Sequence, residues 1–211
     1  MTVSIGPILR AMFGKHERRV TAAYRGLYLN IDELAAQIHQ WVPAASRILE
    51  VGCGEGAVTE RLAAAYPGAE ITAIDVTPRL GRLYDGPRDR LRFVQCTVQE
   101  IAAREPGHYH LAVLCDVLHH VPLTGRQDLL RAIRRTLTFG GVFVFKEWER
   151  NTTLIHWLCH ASDHWLTGDR VSYMTCGEIH EHLTRCFGDG ALVGEVRLSP
   201  WRNNLAILVR P

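Results

Sequence analysis

Residues 48–75, ILEVGCGEGAVTERLAAAYPGAEITAID, constrain this chain more tightly than any other stretch. Ile48, Leu49 and Val51 form a short apolar β-rich run that stops at Gly52, Gly54 and Gly56, and a helical pattern begins at once. Glycines at alternate positions let a backbone turn sharply and approach a ligand where a Cβ would collide. About twenty residues on, Asp75 closes the second strand, where an open α/β sheet presents a carboxylate to the hydroxyls of a ribose. Turn and acid together point to an adenosine-containing ligand.

The glycine spacing narrows the ligand. A dinucleotide fingerprint reads G-x-G-x-x-G and receives a pyrophosphate on the helix N-terminus. Here the run is E-x-G-x-G-x-G, with Glu50 ahead of it and Glu55 inside it. Two carboxylates cradle phosphate poorly and suit a ligand with a cationic end. A dinucleotide site and a purely structural turn are the alternatives. At Glu50, Gly52, Gly54 and Gly56 the chain resembles the first motif of the class I S-adenosylmethionine-dependent methyltransferases, and the resemblance runs from about residue 46 to 146. It implies a Rossmann-like α/β sheet of about seven strands, mostly parallel with a C-terminal antiparallel hairpin, helices on both faces and an N-terminal helical cap. It also implies S-adenosylmethionine as cofactor, with S-adenosylhomocysteine as product. The implied contacts are Glu50, Gly52, Cys53, Gly54, Gly56, Asp75, Val76, Thr97, Val98, Cys115 and Asp116.

A chain of 211 residues fits a single domain, divided here into a helical cap (1–45), a cofactor-binding core (46–146), a substrate-side helical insertion (147–190) and a hairpin (191–211). A net charge of +2 argues for neither nucleic acid nor a membrane surface as partner, and the Arg131, Arg134 and Arg135 cluster reads as a solvated helix face. The six cysteines form no C-x-x-C pair and no recognised zinc spacing, and several lie in apolar strands. That usage implies a reducing compartment; the N-terminal MTVSIGPILR has too short an apolar run for a signal peptide and nothing approaches a membrane span, so a cytoplasmic protein, monomeric or homodimeric, is expected.

Ahead of the core, Ala35 and Ile38 fall at helical spacing, Asn30 or Asp32 can cap the helix and Pro43 ends it. The resemblance lets this segment fold over the ligand, with Arg25 meeting the methionine carboxylate; a solvated Arg25 is the plain alternative. Pro78 and Gly86-Pro87 bound a short helix after Asp75. The third strand is 91–95, after which relatives often place a Gly-Asp pair on the adenine amine. Cys96 and Thr97 stand there instead, so adenine recognition would lean on a neutral hydroxyl, backbone groups and Val98. The fourth strand, 110–116, runs into D-V-L-H-H-V, which resembles the family's fourth motif. An amphipathic helix through Leu129, Leu130, Ile133 and Leu137 leads to a fifth strand at 142–146. Thr175 and Glu178 are spaced as a capping box, and 192–198 with 204–210 read as the hairpin.

Methyl transfer from a sulfonium is an in-line displacement, so a protein must position the acceptor, exclude water and sometimes remove a proton. Histidine suits that last task. His119 and His120 end the fourth motif, where one can act as base or merely shape the turn. His156, His160 and His164 recur every four residues on an expected helix over 152–166, with Asp163 as a partner for His160 or His164 and with Trp157 and Trp165 flanking. Histidines on an ordinary surface helix, or a zinc site, would show the same period; no H-E-x-x-H is present and no metal is expected. Glu147 can orient an acceptor or be solvated. The expected activity is methyl transfer to a small-molecule acceptor, first a hydroxyl oxygen, in secondary or specialised metabolism. Nitrogen or carbon acceptors, and a non-catalytic cofactor-binding partner subunit, are the alternatives.

Overall fold

The computed structural model describes residues 26–162 and 171–211, together with Thr21 and Ala23. Arg25, Asp163, His164 and Trp165, all singled out above, lie outside the described residues, as does the His160 side chain.

The elements follow in the order α1 (Ile31–Trp41), β1 (Arg47–Val51), α2 (Ala57–Ala65), β2 (Glu70–Asp75), β3 (Leu91–Gln95), α3 (Val98–Arg104), β4 (Tyr109–Cys115), α4 (Leu123–Thr136), β5 (Leu137–Trp148), α5 (Leu154–Ser162), α6 (Cys176–Phe187), β6 (Leu192–Leu198) and β7 (Asn204–Val209). The seven strands form one sheet in the order β3-β2-β1-β4-β5-β7-β6. The β1–β2, β1–β4, β2–β3 and β4–β5 pairs are parallel, and β7 is antiparallel to both β5 and β6. The architecture is the mostly parallel sheet with a C-terminal hairpin that the resemblance implied.

Strand alternation sorts the apolar side chains between two cores. Leu49, Val51, Ala112, Leu114, Phe143 and Phe145 pack against Ile101 of α3, Leu130 and Ile133 of α4, and Ile179 and Leu183 of α6. Ile48, Leu111, Val113 and Val144 pack on the other face with Leu34 and Ile38 of α1 and Leu62 of α2. Helices cover both faces, so the central strands read as unbroken apolar runs rather than alternating ones. Since β1 lies between β2 and β4, the chain winds outward in both directions from it. A crevice opens at the carboxyl ends of these strands, the place where open α/β sheets bind ligands.

Three local expectations need correction. The segment between Pro78 and Gly86 forms successive turns, not a helix. Gly81 adopts φ +64°, and a Cβ there would lie 2.6 Å from the Phe93 ring, so the chain bends away under β3 instead of coiling. β5 is longer than 142–146, starting at Leu137 and reaching Trp148, with a register irregularity against β4 between Tyr109 and Leu111. Its extension carries Glu147 and Trp148 inside the sheet. The helix expected over 152–166 is described as α5, beginning at Leu154.

The caps fall where side-chain chemistry places them. Asn30 accepts the Glu33 N–H at the start of α1, and Thr175 and Glu178 form a reciprocal capping box on α6. The chain entering α1 is tied to the hairpin turn: Trp201 Nε1 donates to the Leu27 carbonyl and Asn204 Nδ2 to that of Tyr28, each at 2.7 Å.

Candidate active site

The glycine turn joins β1 to α2. Gly52 has φ +78°, and a Cβ on it would lie 2.2 Å from Val117 Cγ2, so only glycine lets the turn pass beneath the loop that follows β4. Gly54 has φ +50°, but a Cβ there would meet nothing within 4 Å. Its free face opens toward a cavity of about 970 Å³, bounded by Gly52, Gly54, Asp75, Val76, Thr97, Val98, Asp116 and His120 among others. Eight of the residues singled out from the sequence are thus brought to one chamber, from the end of β2 on one side of β1 to the turn after β4 on the other.

Asp75 is aimed by the backbone. Its Oδ2 accepts the Gly54 N–H at 2.7 Å and its Oδ1 accepts the Thr77 N–H at 2.9 Å. Both bonds to the ionised carboxylate are charge-assisted, and each oxygen keeps lone pairs for a diol. Thr97 lines the same chamber, but its hydroxyl caps α3. It accepts the Glu100 N–H at 3.3 Å and donates to Glu100 Oε2 at 2.9 Å, while the Thr97 N–H bonds the same carboxylate oxygen at 2.8 Å. The position read as an adenine contact is first a helix cap, and one hydroxyl lone pair is left for a ligand.

Four residues of the expected cofactor set stand behind the wall. Glu50 is 2% exposed, on the α2 side of β1, and its Oε2 makes no hydrogen bond among the described residues. Burial drives its pKa up to about 7; the charge of Asp75 adds to the rise and Thr59 opposes it. The Cys53 thiol is pushed upward by burial and then by the Glu50 and Asp75 charges, and Cys115 is raised chiefly by burial. Both thiols stay protonated and act as small apolar groups, not nucleophiles. Gly56 packs away from the chamber, its notional Cβ 3.0 Å from Tyr84 Cβ.

Across β1 from Asp75, Asp116 is a non-glycine residue at φ 54°, a left-handed conformation costing about 1 kcal/mol. Its Oδ2 accepts from the buried Lys146 Nζ at 2.5 Å, while Oδ1 is buried without a hydrogen-bond partner among the described residues. Burial alone would lower the Lys146 pKa, but the Asp116 and Glu147 carboxylates outweigh it and raise it. The ammonium is therefore held charged against the strained carboxylate.

The two histidines of the fourth motif separate. His120 is exposed and lines the chamber. His119 is buried, with Nδ1 2.5 Å from Glu147 Oε1, and its backbone N–H donates to Glu147 Oε2 at 3.2 Å. Glu147 is fully buried and accepts the Trp148 N–H as well, so it is not solvated. The His119 ring stacks on Tyr173 at 4.7 Å and lies 4.1 Å from the His120 ring. Ligand atoms of Asp116, His119 and Glu147 come within 4.8 Å of one another, a spacing a cation can bridge. Lys146 already supplies the positive charge on Asp116 Oδ2, and the His119–Glu147 bond occupies the remaining pair.

The expected histidine stripe resolves only at its first member. His156 is buried, and its Nδ1 accepts the Trp148 indole N–H at 3.1 Å, so it braces β5 against α5. Trp157, which flanks the stripe, is 66% exposed and walls no buried acceptor. Arg126 escaped the sequence reading. It is fully buried, donates Nε to the Val121 carbonyl and an η nitrogen to that of Ser172, and ties the fourth-motif turn to the segment bearing Tyr173. Its one sequence signal is its helical register with Leu129, Leu130 and Ile133 on an apolar face.

An open sheet with a glycine turn, an acid after β2 and a chamber across the switch point is the frame of a nucleotide-cofactor site. Residues 49–143 match the family model of the methyltransferase domain. Over those residues the chain matches a methyltransferase domain, the family that its first motif resembles. The ubiquinone biosynthesis O-methyltransferase of Yersinia pestis (strain Pestoides F) is 33% identical over 112 residues, covering 50% of this chain and 44% of the relative. The chain thus matches less than half the length of the curated relatives. Among solved structures, Burkholderia thailandensis 1,6-didemethyltoxoflavin-N1-methyltransferase, with 1,6-didemethyltoxoflavin and S-adenosylhomocysteine bound, aligns with a TM-score of 0.67 at 20% identity over 97% of this chain and 87% of that one. Human N-acetylserotonin methyltransferase in complex with S-adenosylmethionine aligns with a TM-score of 0.66 at 20% identity over 99% and 60%. These two likenesses establish the fold.

Proposed function

We propose that the protein transfers a methyl group from S-adenosylmethionine to a small-molecule acceptor, with a hydroxyl oxygen as the methylated atom. The observation that carries this reading is the chamber itself: Gly54 and Asp75 at one end, Asp116 and His120 at the other, around one continuous volume of about 970 Å³. The residues present fit the cofactor. The open face of Gly54 leaves room for a ligand, Asp75 is oriented for a diol, and the unpartnered Asp116 Oδ1 offers an acceptor to a cationic group. When bound, the cofactor supplies the activated methyl group.

In this reading Asp75 holds the ribose, the Gly52–Gly54 turn admits the cofactor, and His120 accepts the acceptor's proton from the chamber wall. His119 is a positioning residue. Clamped by Glu147 and stacked on Tyr173, it fixes the turn on which His120 sits. The O-methyltransferase relative from Yersinia supports an oxygen acceptor. None of the described helices is long and apolar enough to cross a membrane.

The test is an acceptor panel of phenols, catechols and heteroaromatic amines, followed by release of S-adenosylhomocysteine and mass analysis of products. Methylated phenols or catechols are expected. Methylation confined to nitrogen would overturn the acceptor assignment, and failure to bind S-adenosylmethionine or S-adenosylhomocysteine would overturn the transferase reading in favour of a partner subunit.

A further inference from the structure

Far along the chain from the glycine turn, a second set of side chains converges where α6 meets the edge strand β6. Cys176 and His180 are four residues apart on α6 and so share one face of it. Glu195 reaches them from β6. His180 Nε2 lies 2.6 Å from Glu195 Oε2 and 3.6 Å from Cys176 Sγ, and the three atoms fall within 4.8 Å of one another. None of the three contributes to the chamber described above.

The spacing matches a metal's needs. A tetrahedral Zn²⁺ with Zn–S near 2.3 Å and Zn–N near 2.05 Å holds its sulfur and nitrogen about 3.6 Å apart. The Cys176–His180 separation already has that value. The nitrogen–oxygen separation in such a site is about 3.3 Å, so Glu195 would withdraw by about 0.7 Å to admit the ion. His180 and Glu195 have side chains 41% and 38% exposed, which leaves them free to move and the site reachable from solvent. The nearby Arg197 is held by Glu149 and the Arg202 carbonyl, and its guanidinium also bonds the Cys176 thiol, a contact that a bound ion would displace.

We propose that Cys176, His180 and Glu195 form a zinc site, completed by water, that staples α6 to the edge strand of the sheet. Its thiolate, imidazole and carboxylate donors select Zn²⁺ over Mg²⁺ or Ca²⁺, which take oxygen ligands. A bound ion would also tie down an otherwise open sheet edge. The site is independent of methyl transfer. No motif announces it, because only folding brings Glu195 to the Cys-x₃-His pair.

The experiment uses the reduced, untagged full chain, with Co²⁺ as a spectroscopic probe and Zn²⁺ in competition with a chromogenic chelator. Stoichiometric Co²⁺ binding with a sulfur-to-cobalt charge-transfer band is expected, displaced by Zn²⁺. Cys176→Ser should abolish the band, and His180→Ala should weaken Zn²⁺ binding by about 100-fold or more, exceeding the loss that follows removal of an outer-shell partner. Zn²⁺ should raise the melting temperature of the parent but not of Cys176→Ser, which also shows that the variant folds. A band that survives in Cys176→Ser, or unchanged Zn²⁺ affinity in both variants, would overturn the site.

Discussion

The two ends of the chamber are built on different principles. At the β2 end, Asp75 is partly exposed and both of its oxygens are aimed by backbone N–H groups of Gly54 and Thr77. At the β4–β5 end, Glu147 is fully buried and is held by His119, while the exposed His120 faces the ligand. The first end depends on backbone geometry and tolerates change in its neighbours. The second depends on side chains from separate elements, so each removal leaves a buried group unpaired.

That contrast is sharpest for His120. His120→Ala should lower turnover by about 100-fold or more while leaving cofactor affinity near the parent value, as loss of a general base does. Turnover within about threefold of the parent would move the base elsewhere and reduce the His119–Glu147 pair to a structural strut. Next comes Glu147→Ala, expected to cost about 3 kcal/mol in denaturant unfolding, because the His119 ring, the His119 N–H and the Trp148 N–H lose their acceptor. Asp75→Asn, by comparison, should leave the unfolding midpoint nearly unchanged, and similar losses for the two would break the comparison.

Glu50 gives a smaller, pH-dependent effect. Its folded pKa, about 7, lies above the ordinary value of 4.5, so the folded state holds the proton more tightly. Stability is then greatest below about pH 4.5, falls as pH rises toward 7, and stays reduced above it, by about 3 kcal/mol. Glu50→Gln should therefore flatten the stability profile between pH 5 and 8, a range spanning that pKa. A parent profile that already lacks this decline would contradict the buried-acid assignment. A smaller stability change than that of Glu50 is expected for Gly54→Ala, about 1 kcal/mol for a left-handed alanine. Its cofactor affinity should fall by more than its stability does, since the new methyl enters the ligand's space.

The same contrast explains what could be read in advance. Glu50, Gly52, Gly54 and Asp75 sit within one βαβ unit, so their sequence spacing already encodes their geometry, and the sheet followed from it. The resemblance makes Thr97 a ligand contact, whereas Glu100 three residues on marks it as one half of a capping box. The His119–Glu147 and Asp116–Lys146 pairs join residues 28 and 30 apart on neighbouring strand ends. Only the β4–β5 register brings them together, and no local pattern announces it. The period of His156, His160 and His164 suggested a shared catalytic face, but His156 is spent on the Trp148 indole.

The central claim is that Asp75 and the glycine turn hold S-adenosylmethionine, and calorimetric titration tests it most directly. The parent and Asp75→Ala would each be titrated with S-adenosylmethionine and S-adenosylhomocysteine, with circular dichroism confirming the fold. Micromolar binding of both ligands to the parent is predicted, weakened by about 100-fold in the variant as a charge-assisted pair of hydrogen bonds is lost. Equal affinity in parent and variant, or no binding to a folded parent, would contradict it.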